Sequence, residues 1–307
     1  MDFPKLDDAV RKQRLMPPEG RVRMVMDTDT YNEIDDQFAV VHALLSPEKL
    51  DVEAIYAAPF HNDRSNGPAD GMEKSYEEIL RLLSRLDREP EGFVFRGATR
   101  YLESWDTPVD SEAVRDLIER AMASDGAPLY VVAVGAITNV ASAILLEPRI
   151  IERIVVVWLG GHGLHWPNTI EFNLMQDPPA ARVILDSGVP FIHVGCMGVT
   201  SHLTTTLPEL ERHVQGRGAI GDYLVEIFRD YHEDHRAWAK EIWDVAAVAW
   251  LLDPAMAPGR VVPGPVLTED LKWATAPGRH RIFDTLYVDR NRIFRDLFDK
   301  LEARAAH

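Results

Sequence analysis

The sequence predicts an α/β fold: one domain on a largely parallel open sheet, Rossmann-like in its core, with helices on both faces. Three observations predict it. Almost wholly apolar runs of strand length recur at residues 22–26, 129–134 and 154–159, which is how strands buried on both faces read. Segments with apolar residues at helical spacing fall between them. No internal repeat, low-complexity tract or long linker interrupts the alternation over the 307 residues.

Residues 1–20 read as a polar arm ending Met16-Pro17-Pro18-Glu19-Gly20, and residues 21–307 as the single domain. The strand at 22–26 leads into a helix at 36–45, and a strand at 52–57 leads into a long loop through 59–71. Tyr76, Ile79, Leu80, Leu82 and Leu83 give residues 73–86 a helical period. After a short strand at 93–95, Ser111 is the expected N-cap of a helix over 111–124, ahead of Val114, Leu117, Ile118 and Ala121. The apolar strand at 129–134 precedes a helix at 139–146, and the one at 154–159 runs into Gly160-Gly161-His162-Gly163. A helix over 179–186 closes at Gly188, followed by a strand at 191–194 and a loop holding residues 196–206. Helices are expected at 208–215, 220–239 and 245–252, then short strands at 260–262, 265–268 and 282–288, and a last helix at 292–303.

Composition narrows the function. Hydrophobic residues make up 46% and charged residues 27%, ordinary for a globular protein. A formal charge of -16 argues against nucleic acid or an anionic membrane as partner, since both are repelled, and suits a neutral substrate or a bound metal. The single cysteine, Cys196, permits no disulfide within the chain, and the polar, acidic start carries no signal-peptide pattern, so the expectation is a cytoplasmic protein.

Chemistry concentrates where the first strand ends. Asp27, Asp29, Glu33, Asp35 and Asp36 crowd one turn, and in open α/β sheets ligands bind at the carboxyl ends of strands. Loops after the other strands converge there, and Trp243-Asp244 opens a later helix. Acids gathered from separate loops form an oxygen-ligand site for a hard cation such as Ca²⁺: Asp29, Asp36 and Asp244 supply carboxylates, and the Val134 carbonyl a neutral oxygen. The spacing fits neither an EF-hand nor a zinc ligand set, and Asp35 or Asp36 capping a helix is the metal-free alternative.

Asp27-Thr28-Asp29 followed by Asp35-Asp36 resembles the DTDxxxDD signature of the nucleoside hydrolases, the calcium-dependent N-ribohydrolases. The resemblance continues in order. Residues 135–141 resemble the family's G-x-L-T-N-x-A turn; Gly160-Gly161, Glu171-Phe172-Asn173 and Asp177-Pro178 resemble its GG…EFN…DP segment; Trp243-Asp244 resembles the opening of its last metal-binding helix. This implies a nucleoside-hydrolase-like fold, usually a homo-oligomer (dimer or tetramer), that hydrolyses the N-glycosidic bond of ribonucleosides to free base and ribose. It implies Ca²⁺ held by Asp29, Asp36, Asp244 and the Val134 carbonyl, with Asp29 as general base for the Ca²⁺-bound water. By the same resemblance Asp35, Glu171 and Asn173 hold the ribose hydroxyls, with Asn62 an addition; His165 stands where members carry an asparagine, with Asn168 nearby as its replacement, and the 5′-hydroxyl contact stays open.

The chain also departs from that pattern. Its acidic loop is two residues longer, filled by Tyr31-Asn32-Glu33. Many members place a histidine where Trp243 stands; Trp243 resembles the purine-preferring branch, stacking on the base, with a core aromatic as the alternative. His232 or His235, on the helix expected at 220–239, is a candidate to protonate the departing base, against a reading as solvated helix positions. Two other functions fit parts of the sequence. One is a non-catalytic ribose- or nucleoside-binding protein. The other is a haloacid-dehalogenase-type phosphohydrolase with Asp27 as nucleophile, for which the later strand ends supply neither the lysine nor the acidic pair.

Overall fold

The computed structural model describes residues 3–123 and 126–306. The expected polar arm contains a helix, α1 (Asp8–Arg14), too short and polar to show a period. Asp7 caps it by accepting from the Ala9 and Val10 amides, and buried Arg11 donates to the Gly188 carbonyl at 2.6 Å. From there β1 (Val22–Thr28), α2 (Asp35–Leu44), β2 (Leu50–Ala57), α3 (Pro68–Arg85), β3 (Val94–Arg96), α4 (Glu112–Met122), β4 (Leu129–Ala133), α5 (Thr138–Leu146) and β5 (Ile154–Leu159) follow. A short α6 (Phe172–Gln176), α7 (Pro178–Ser187) and β6 (Phe191–Val194) come next. Then come β7 (Thr204–Thr205), α8 (Leu207–His213), α9 (Gly218–Tyr231), β8 (Lys240–Glu241) and α10 (Val245–Leu252). The chain closes with β9 (Gly259–Pro263), β10 (Val266–Leu267), β11 (Trp273–Ala274), β12 (Arg281–Thr285) and α11 (Arg290–Ala305).

The central sheet has eight strands in the order β3-β2-β1-β4-β5-β6-β12-β9, parallel throughout except where β9 meets β12. Both its faces are covered, as the apolar runs require. In β1, Met24 and Met26 point into a core with α2, α9, α10 and α11, while Val25 points into another with α4, α5 and α7. The period-two alternation of a strand thus fills two cores from one apolar run.

Two helix boundaries depart clearly from expectation, the start of α3 and the end of α9. Helix α3 starts at Pro68, because proline suits the first helical position and Gly67, at φ 137°, turns the chain into it. Ser111 caps α4 by accepting from the Val114 amide, and the expected end of that helix at Ser124 lies outside the described residues. Helix α9 stops at Tyr231 rather than near 239. Beyond it, His232 stacks on Trp238 at 4.7 Å and Trp238 packs on Phe228 at 5.2 Å, so ring contacts fold the segment back instead of extending the helix. His232 and His235 are therefore loop residues.

Candidate active site

Strand β1 ends between β2 and β4, where the strand order reverses direction, and the turn after it carries the acids. Asp27, Asp29, Asp35, Asp36 and Asp244 are all buried there. One carboxylate oxygen from each of Asp35, Asp36 and Asp244 lies within 4.8 Å of the others. Asp36 accepts from Thr28 Oγ1 at 2.5 Å. Burial, and then mutual repulsion, lifts the group: Asp36 is pushed up to about 8, and Asp29 and Asp244 well above the usual carboxylate range. Asp35 rises less, to about 6, since Lys240 partly offsets its burial.

Asp29 is the unusual member. It is fully buried and neither carboxylate oxygen has a hydrogen-bond partner, a state that costs several kcal/mol for a charged group unless a cation or a proton meets it. Gly135 lets it fit: a Cβ there would lie 2.9 Å from Asp29 Oδ1. Unpartnered oxygens beside a triangle of carboxylates are a donor set suited to a hard divalent cation.

The surroundings are braced by hydrogen bonds. Asn139 donates to Asp27 Oδ1 at 2.7 Å and to the Ala57 carbonyl, and accepts from the Ala98 amide. Thr138 donates to Asp177, which also takes the amides of Leu102 and Ala180. Glu171 caps α6, accepting from the amides of Gly161, Asn173 and Leu174. Asn173 donates both amide hydrogens, to the carbonyls of Val134 at 2.8 Å and Leu159 at 3.0 Å, which leaves Oδ1 as its open polar atom. Gly161, at φ 74°, makes the turn after β5.

A cavity of about 260 Å³ opens over this floor, lined by Asp35, Val134, Glu171, Asn173, Trp243 and Asp244 among others. A larger hollow of about 1030 Å³ lies between α1 and β12 and holds none of the acids, so size does not mark the site.

The family model for inosine-uridine preferring nucleoside hydrolase matches residues 24–279. The chain belongs to the nucleoside hydrolase family. It is therefore a hydrolase that acts on nucleosides, which sets aside the reading as a phosphohydrolase with Asp27 as nucleophile. The chain is 30% identical over 263 residues to the pyrimidine-specific ribonucleoside hydrolase RihA of Klebsiella pneumoniae, covering 75% of this chain and 79% of that one. The corresponding RihA of Escherichia coli strain HS is 29% identical over 256 residues. In fold it resembles a plant nucleoside hydrolase, PpNRh1, with a TM-score of 0.73 at 22% identity over 92% of this chain and 99% of that one. A purine-preferring ribonucleoside hydrolase from Gardnerella vaginalis gives 0.71 at 21% identity with the same coverage.

In this nucleoside hydrolase most of the residues implied by resemblance converge. Asp35, Val134, Glu171, Asn173, Trp243 and Asp244 line the cavity, and Asp29 and Asp36 are packed among the acids without lining it. Asp35 sits within the carboxylate triangle rather than apart from it. The remainder are not among the residues that line the cavity, although Asn62 touches one that is. Asn62 bonds to Asn32, the Asn168 side chain accepts from the Ile170 amide, and His165 packs on Trp166. His235, half-buried, meets the Arg229 carbonyl, and His232, exposed, stacks on Trp238. Cys196 is buried on the cavity wall, and burial holds its thiol well above the usual range.

Sequence reasoning assigned no role to several lining residues, Asn32, Glu33, His162 and Met197 among them. His162 had a signal, since it follows a wholly apolar strand at the sheet edge where ligands bind. Its Nδ1 accepts from the Met197 amide at 3.3 Å. Lys240, buried beside Asp35 and Glu33, had none: a lone lysine in a polar stretch reads as solvated.

Proposed function

We propose that the enzyme hydrolyses the N-glycosidic bond of ribonucleosides, releasing free base and ribose, with Ca²⁺ as its metal and purine nucleosides favoured. The observation that carries the reading is the pair of unpartnered oxygens of buried Asp29 beside the carboxylate triangle. Asp29, Asp36, Asp244 and the Val134 carbonyl would hold the cation. When bound, it supplies positive charge to the acids and makes water more acidic.

Asp29 takes the proton of the attacking water, a task for a carboxylate with no competing partner. Asp35, Glu171 and the free Asn173 Oδ1 orient the sugar hydroxyls. As the base departs, positive charge grows on the ribose ring, and the surrounding carboxylates stabilise it. Trp243 lines the cavity and stacks on the base, which supports a purine preference; the larger purine face gains more from stacking. Among the described residues no lysine or arginine lines the cavity, which favours a nucleoside over a nucleotide.

The test is a reducing-sugar assay over purine and pyrimidine nucleosides, with and without chelator. Ribose release that chelator stops and Ca²⁺ restores is expected. Asp29→Asn is expected to lose about 10²–10⁴-fold in kcat, the usual worth of a general base. Absence of ribose release from every nucleoside would sink the reading.

A further inference from the structure

The extra residues of the acidic loop are built into the cavity wall. Asn32 donates its amide to the Asp29 carbonyl at 2.7 Å, and its own carbonyl and Oδ1 accept from Asn62 Nδ2 at 3.2 and 2.8 Å. Arg64 donates to the Glu33 carbonyl at 3.0 Å and lies 4.7 Å over the Tyr31 ring. The Glu33 carboxylate reaches across the chain to Lys240 Nζ at 2.5 Å.

Lys240 is 7% exposed, which is unusual for lysine. It lies on β8, where it pairs with Thr205, and it also donates to the Glu241 carbonyl at 3.1 Å and faces the Tyr231 ring at 5.7 Å. A buried ammonium is costly without partners, and an apolar residue would fill the space at lower cost if filling were all that mattered. Instead the ion pair ties together two segments that both line the cavity: the turn carrying Asn32 and Glu33, and the strand that runs into Trp243 and Asp244.

Resting on the ribohydrolase reading above, we propose that Lys240 is a positioning residue. By clamping Glu33 it holds the inserted turn and the segment before Trp243 as one wall of the nucleoside cavity, and so sets how tightly substrate binds. The clamp acts on binding in the ground and transition states alike, which appears in KM rather than kcat.

The experiment compares the Ca²⁺-loaded wild type with Lys240→Met, Lys240→Arg and Glu33→Gln, measuring kcat and KM for the best nucleoside and amide hydrogen exchange over residues 31–34 and 240–244. Lys240→Met is expected to raise KM about tenfold or more with kcat within about threefold, and Glu33→Gln to shift KM in the same direction. Lys240→Arg, which keeps charge and reach, is expected to stay within about threefold of wild-type KM. Both segments exchange faster in Lys240→Met. An unchanged KM in Glu33→Gln and in Lys240→Met, or a fall in kcat alone, overturns the clamp. Should Lys240→Met fail to fold, Glu33→Gln decides by the same readouts. If the wild type releases no ribose, the catalytic reading fails by itself. Exchange then decides the clamp: faster at both segments upholds it, unchanged exchange overturns it.

Discussion

Asn139 and Asn173 show how one side chain holds several loops of the site in register. Asn139 satisfies Asp27 and the Ala57 carbonyl and receives the Ala98 amide, joining the ends of β1 and β2 and the chain after β3 to the start of α5. Replacing it with alanine strands a buried carboxylate oxygen, a carbonyl and an amide. Asn139→Ala is expected to lower stability by about 2–4 kcal/mol, read as a lower urea midpoint at unchanged slope. Trp243 is partly buried, with its inner side against the core and its outer side on the cavity. Trp243→Ala is expected to reduce kcat/KM for purine nucleosides about 5- to 150-fold, the range that losing roughly 1–3 kcal/mol of base stacking implies, and for pyrimidine nucleosides by less, so that the purine-to-pyrimidine ratio falls. An unchanged ratio would leave Trp243 a core residue. At this scale the acids were legible because like charges crowded at a strand end need a reason to coexist. Lys240 and His162 were not, since a residue's burial depends on chain segments far away in sequence: Lys240 meets Glu33 across 207 positions.

Elements read well where a long apolar pattern decided them and poorly where tertiary contacts did. Strands β5 and β6 and helix α10 fall where periodicity puts them. Helix α9 ends early because stacked rings outweigh the helical propensity of the residues after Tyr231, and α1 forms because the arm docks, with Leu15 fully buried and Arg11 bonded to Gly188. Beside α1, on the approach to β12, His280 is pushed down to about 4, first by burial and then by Arg11 and Arg279. The unfolded chain therefore binds the proton more readily than the folded one between about 4 and its ordinary 6.5. Its contribution to stability is present above pH 6.5 and is lost as pH falls toward 4. Partial exposure discounts the effect to about 1–2 kcal/mol. His280→Gln should lose less stability than wild type between pH 7 and 4.5. The difference between the two unfolding curves isolates this histidine from His42, which burial shifts in the same direction.

On the scale of the whole molecule, the sheet order places the ends of β1 and β4 side by side at the point where the strand order reverses. The sequence predicted a parallel sheet from its apolar runs, but strand order depends on which helices cover which face, and that is set by packing between distant segments. The outcome is that the end of β1, the start of α2, the β4–α5 turn and the start of α10 deliver Asp29, Asp36, Val134 and Asp244 to one place in a chain already at -16. Gathering five buried carboxylates there is unfavourable in itself, so the fold carries a local electrostatic cost that a cation relieves. A cation that binds only the folded chain must then stabilise it by mass action, by about 2.7 kcal/mol at a hundred times its dissociation constant. Thermal unfolding is therefore expected to shift upward by several degrees when Ca²⁺ is added to chelator-treated protein. Asp244→Asn should remove most of that shift while raising the melting temperature without metal, since it takes one charge out of the cluster. A melting temperature indifferent to Ca²⁺ in the wild type would mean that protons and hydrogen bonds alone hold these acids together.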